Sequence, residues 1–119
     1  MNTDIRLKVG FFHHTKTVRL ERRLGADGVL SLLRLFAYTA QNKPDGDLIG
    51  MDSEEVEIAA GWNGDIGLFV NACRELKLLD ICKGIISIHD WHVHQPWAAG
   101  AEKRSQQASD AANCRWEKH

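Results

Sequence analysis

At 119 residues, with 44% hydrophobic and 26% charged side chains, the chain has enough apolar content for one compact domain and too little length for two. That composition excludes a chain disordered throughout, and no apolar run approaches the roughly 18 to 20 residues that span a bilayer. The N-terminus, Met1-Asn2-Thr3-Asp4-Ile5-Arg6, lacks the apolar core of a signal peptide, so a cytoplasmic protein with no membrane partner is expected. Three cysteines, Cys73, Cys82 and Cys114, make an odd number without a C-x-x-C pair, which indicates neither a disulfide framework nor a cysteine zinc site. Cys73 and Cys82 fall on apolar faces and read as core thiols.

Ile5 to Val9 alternates apolar and charged residues, the pattern of a short strand or extended arm, with Gly10-Phe11-Phe12 continuing or ending it. From His13 to Leu24, Thr15 is a candidate N-cap, and Val18, Leu20 and Leu24 alternate with Arg19, Arg22 and Arg23, which predicts a short basic helix. Between Ala26 and Gln41 the apolar residues recur at helical spacing behind Asp27, a natural N-cap, giving a central helix that is apolar on most of its circumference. Asn42 to Asp47 clusters turn residues around Pro44 and Gly46. Leu48 to Met51 suits only a small strand. Asp52-Ser53 before Glu54-Glu55 starts a helix that runs to about Trp62 and buries Val56, Ala59 and Ala60, with Ile58 a further candidate. Asp65 then caps a third helix whose apolar stripe is Ile66, Phe69, Val70, Cys73 and Leu76, with Asn71, Arg74, Glu75 and Lys77 opposite.

Leu78 to Cys82 and Ile85 to His89 are strand-like runs separated by Lys83-Gly84. A two-residue loop with glycine second predicts a tight hairpin. Beyond Pro96 the chain is polar and alanine-rich, a marginal helix or linker anchored by Trp116. The order of arm, helix, long helix, short strand, two helices and hairpin is that of a winged helix-turn-helix, a mainly α fold with a small β-hairpin (α+β). Residues 1–97 are expected to form that domain and residues 98–119 a helical or flexible linker or tail.

Charge is unevenly spread. Residues 1–25 carry Arg6, Lys8, Lys16, Arg19, Arg22 and Arg23 against Asp4 and Glu21, whereas residues 26–66 carry eight acids against Arg34 and Lys43. A groove-reading helix needs Arg, Lys, Asn or Gln on its exposed face, and the third helix offers Asn71, Arg74 and Lys77 beside Glu75. Lys83 at the hairpin tip and Arg19, Arg22 and Arg23 would supply phosphate contacts. The same cations read equally well as ordinary solvated charges.

Other chemistry finds less support. His89, His92 and His94 match no zinc spacing, although strand positions such as 92 and 94 would face one side, and no metal or other cofactor is expected. Gly61-Trp62-Asn63-Gly64-Asp65-Ile66-Gly67 lacks the G-x-G-x-x-G and G-x-x-x-x-G-K-[ST] patterns, and Asp52, Glu54, Glu55 and Glu57 look solvated. No catalytic residue is assigned, and an enzyme is not expected. Of the four tryptophans, Trp62 and Trp91 read as anchors on the core, while Trp97 and Trp116 stay open between core anchors and a partner surface.

The chain resembles the N-terminal winged-helix domains of phage-type replisome organisers and DnaD-like primosome proteins. The resemblance is carried by Phe11-Phe12-His13-His14-Thr15-Lys16-Thr17, Asp45-Gly46-Asp47-Leu48, Ala60-Gly61-Trp62, Leu76-Lys77-Leu78-Leu79-Asp80 and Ile88-His89-Asp90-Trp91-His92-Val93-His94-Gln95. The tail segments Ala101-Glu102-Lys103-Arg104-Ser105 and Ala111-Ala112-Asn113-Cys114-Arg115-Trp116 look like the linker after such domains. The resemblance implies a DNA-binding module of a prophage or phage replication-initiation protein, commonly followed by a further domain. Its partners would be double-stranded DNA, bound weakly and salt-dependently, and a helicase or its loader, with a homo-oligomer also among them. The alternatives are a protein-interaction or oligomerisation winged helix without DNA affinity, and a transcription regulator.

Overall fold

Glycine and proline set the boundaries of the elements more than apolar runs do. The computed structural model describes residues 4–95; the expected tail at 98–119, with Trp97 and Trp116, lies outside the described residues. Within them are four helices, α1 (Thr15–Asn42), α2 (Ser53–Ala59), α3 (Leu68–Glu75) and α4 (Trp91–His94), and three strands, β1 (Asp47–Leu48), β2 (Leu79–Cys82) and β3 (Ile85–Ile88). The α+β class is therefore as expected. None of the helices is long and apolar enough to cross a membrane.

Of the short strand or extended arm expected for the N-terminal segment, the strand does not form. Residues 4–8 adopt no regular element, and Phe11–His13 forms a single 3₁₀ turn. Instead of a neighbouring strand, a side chain takes the arm's hydrogen bonds: Arg6 N–H donates to Gln95 Oε1 (2.6 Å), and Gln95 Nε2 donates to the Arg6 carbonyl. Gln95, 2% exposed, is thereby satisfied although buried.

Helix α1 starts one residue earlier than Thr15 capping implies, because the His14 ring accepts from Lys16 N–H at 3.2 Å. It combines both predicted helices as two arms that meet at Gly25, whose φ of 76° and ψ of −174° break the helical path. Asp27, expected to cap the second arm, stands exposed within its first turn. Leu20 from the first arm and Leu32 and Leu35 from the second are fully buried. The second arm is not covered all round, since Leu30 is 44% exposed.

Asp52 and Glu55 form a reciprocal capping box that starts α2, as the acids in its first turn predict. Val56 and Ala60 are buried, but Ile58 is 72% exposed. Helix α3 begins later than predicted. Asp65 does not cap it with its side chain; Gly67, at φ 87°, is the N-cap, and Ile66 falls outside the helix, 77% exposed. The rest of its stripe, Phe69, Val70, Cys73 and Leu76, enters the core as expected.

The hairpin matches its sequence signal. Lys83 and Gly84 both have positive φ (55° and 78°), the requirement of a type I′ turn, and Cys82 pairs with Ile85 across it. Strand β1 adds to the other edge of β3, giving an antiparallel sheet of order β1-β3-β2 that buries Leu48, Leu79, Ile86 and Ile88. Cys73 is the buried thiol that its stripe predicts; burial first, and the Glu57 carboxylate second, push it up to about 12. Cys82 is half-buried and disulfide-bonded, which corrects its reading as a core thiol.

After β3, Asp90 turns the chain at φ 54° and Trp91–His94 closes into a helical turn, so positions 92 and 94 do not alternate along a strand. Trp91 is 1% exposed, and its Nε1 donates to the Pro44 carbonyl at 2.7 Å while its ring lies 6.3 Å from Phe36. It fixes the segment after the sheet to the loop before β1, the anchoring role predicted for it.

Candidate nucleic-acid interface

The cations of the first arm of α1 follow from helical spacing. Thr17 and Leu20 point into the core and Leu24 packs against it, so Lys16, Arg19, Arg22 and Arg23 are left along the solvent-facing sides, Lys16 half-buried and the three arginines exposed. Two contacts seat this arm on the C-terminal end of α3. Lys16 Nζ donates to the Lys77 carbonyl at 3.0 Å, and Arg23 Nη1 pairs with Glu75 Oε2 at 2.7 Å. Lys77 itself has φ 63° and ends the helix.

Of the sequence-predicted residues, the structure brings Arg23 to Glu75, next to Arg74, while Arg19 and Arg22 are exposed on the same arm of α1. Asn71 and Arg74 are exposed on α3, and Lys83 is exposed on a different element, the β2–β3 turn. Sequence reasoning passed over Lys16 as a site residue, although its spacing to Arg19 and Arg23 places all three on neighbouring turns. It also left out Glu75 as a neutralising partner, which only the packing of α1 on α3 reveals. The Arg23–Glu75 pair is 45% and 59% exposed at its side chains, so its main effect is geometric and its energy small.

The opposite end of α3 is held by a carboxylate. Glu57, on α2, is 4% exposed, and its Oε1 and Oε2 accept N–H groups from Gly67 (2.8 Å) and Val70 (3.1 Å). A negative group at a helix N-terminus and cations at the C-terminus both match the helix dipole. This corrects the reading of Glu57 as a solvated acid. Trp62 completes that end, stacked on Phe69 at 5.9 Å with its Nε1 donating to the Asp65 carbonyl at 3.1 Å.

His14 caps α1 and His89 braces a turn, while the buried Nδ1 of His92 has no hydrogen-bond partner among the described residues. His89 Nδ1 lies 2.8 Å from Asp80 Oδ2 and its Nε2 lies 3.4 Å from Asp90 Oδ2, which ties β2 to the turn before α4. Among the described residues no group of three or more His, Cys, Asp or Glu is placed to hold a metal ion.

Comparisons with protein-family models, with curated proteins and with solved structures returned no match.

Proposed function

We propose that the chain is a DNA-binding module of the winged helix-turn-helix type, serving phage-like replication initiation, and that DNA meets the basic face shared by the first arm of α1 and the C-terminal half of α3. The order α1, β1, α2, α3, β2, β3 with sheet order β1-β3-β2 supports the winged-helix reading. The observation that carries the functional reading is the seating of Lys16 and Arg23 on the C-terminal end of α3, which sets the basic first arm of α1 beside the segment that carries Arg74 and Lys77.

Asn71 and Arg74 are the side chains suited to base edges, while Arg19, Arg22, Lys77 and Lys83 serve the phosphate backbone. With so few base-reading groups, affinity rests on phosphates. DNA approaches from the C-terminal end of α3, because Glu54, Glu55 and Asp65 at the other end repel it. A helicase or its loader is the expected protein partner of such a module.

Titration of a labelled duplex at low salt tests this. Binding is expected, and R19E/R22E or R74E should weaken it by about tenfold or more. Absence of binding, or indifference to both variants, overturns the reading. A protein-interaction module without DNA affinity is favoured by one specific observation: Ile58 on α2 and Ile66 in the α2–α3 turn stand 72% and 77% exposed. Capture of a helicase loader by a chain that leaves DNA unbound would select it.

A further inference from the structure

Between two anchored points the N-terminal arm stands away from the core. Ile5 packs against the core, Gln95 holds the Arg6 backbone at both its N–H and its carbonyl, and Phe11 lies on Phe36 with ring centroids 6.3 Å apart. The residues between these anchors, Leu7, Lys8, Val9 and Gly10, are all exposed. Phe11 N–H donates to the Lys8 carbonyl at 3.0 Å, which closes the stretch into a turn with Val9 and Gly10 at its tip. Val9 is fully exposed, and beside the anchored Phe11 the ring of Phe12 is left 54% exposed.

The start of α1 extends this surface, because the 3₁₀ turn at Phe11–His13 packs against it. Helical spacing puts Thr15, Val18, Arg19 and Arg22 on the side away from the buried Thr17 and Leu20, and Val18 is 38% exposed. Leu7, Val9, Phe12 and Val18 are thus presented to solvent among Arg6, Lys8, Lys16, Arg19 and Arg22, with Asp4 and Glu21 the acids of the same stretch.

We propose that this end of the molecule binds the surface of an anionic bilayer, the apolar turn entering the headgroup region while the surrounding cations meet the lipid headgroups. Exposed apolar side chains gathered in one segment mark an interaction surface, and here separate anchors hold them outward. They sit on a turn and a helix side, with no groove between them. A rigid protein partner would need a pocket for each, whereas a bilayer yields around them. Cations in excess on one surface suit the diffuse negative charge of anionic lipids. Duplex DNA would use the cations and leave Val9 and Phe12 in water. The expectation of no membrane partner rested on the lack of a spanning segment or a signal peptide, and a surface that lies on a bilayer needs neither. None of this rests on DNA binding, although Arg19 and Arg22 would serve in both.

The full chain can be sedimented with vesicles of phosphatidylcholine alone and of phosphatidylcholine with about one-third phosphatidylglycerol, at low salt. It should pellet with the anionic vesicles and stay in solution with the neutral ones. V9D/F12D should lower the partitioning by about tenfold or more, and V9W should raise it by about threefold, since tryptophan favours the membrane interface. Failure to pellet with anionic vesicles overturns the proposal and points to an acidic protein as the partner of the turn. Binding that V9D/F12D leaves unchanged overturns it as well, because cations alone would then hold the protein to the lipid. Both positions are exposed, and circular dichroism confirms that each variant is folded.

Discussion

Glu57 is a carboxylate almost out of contact with water, and each of its oxygens accepts one backbone N–H of the start of α3. Burying a charge is costly unless it is fully hydrogen-bonded, and here the helix N-terminus supplies both the bonds and a favourable dipole. Replacing it with alanine leaves two amides unsatisfied and should cost about 3 kcal/mol. Glu57→Gln, whose single oxygen accepts one of the two while its amide meets the other donor, should fall between, as urea unfolding would measure. Cys73, its neighbour, gives a pH signature. Its folded value is raised to about 12 from 9.0, so the stability of burying the neutral thiol is fully present below pH 9 and is lost as pH rises from there toward 12. Unfolding midpoints from pH 7 to 11 should therefore decline more steeply for the wild type than for Cys73→Ala. The burial of Cys73 was legible from its apolar stripe, but the role of Glu57 was not: it sits among three solvated acids, and nothing in its spacing says that α3 will begin at its carboxylate.

At the scale of elements, legibility depended on whether the deciding interaction was local. The Lys83-Gly84 turn was readable because two residues must satisfy two positive φ angles themselves. Whether Ile5–Val9 is a strand or an extended arm could not be decided from its alternation, because the partner of its backbone is a side chain 89 residues away. The stretch His92-Val93-His94 was misread because one residue, Asp90 at φ 54°, redirects the chain from strand to helical turn. Gly25 belongs to the same scale, since its backbone angles decide whether α1 is one straight rod or two arms. Gly25→Ala adds a Cβ in open space, so only the backbone resists, and it should destabilise the fold by about 1 to 3 kcal/mol. Gly10→Ala, equally open and without positive φ, is the matched control and should be near neutral in the same denaturation experiment.

For the molecule as a whole, the charge asymmetry visible in the sequence becomes a spatial one. The basic first arm meets the C-terminal end of α3 and the acidic α2 meets its N-terminal end, so the polarity runs along a helix of eight residues, about 12 Å long. A net charge of −1 conceals this. If the basic face makes about three to five phosphate contacts, log K should fall against log salt with a slope of about −3 to −5, and Arg19→Ala should make it shallower by about one. Titration of one duplex at several salt concentrations reads both values. The polarity could be anticipated by counting charges in sequence. Its direction could not, because that depends on which end of α3 the first arm reaches.

The clasp between Arg6 and Gln95 has a consequence for how the chain is made. A ribosome delivers Arg6 long before Gln95, so the Arg6 backbone waits for this partner until almost all of the described residues have been synthesised. Closing so long a loop is entropically costly and comes late, after the helices and hairpin have brought its ends together. In the nascent protein the basic helix is thus made well before the Gln95 side chain that clasps the segment ahead of it.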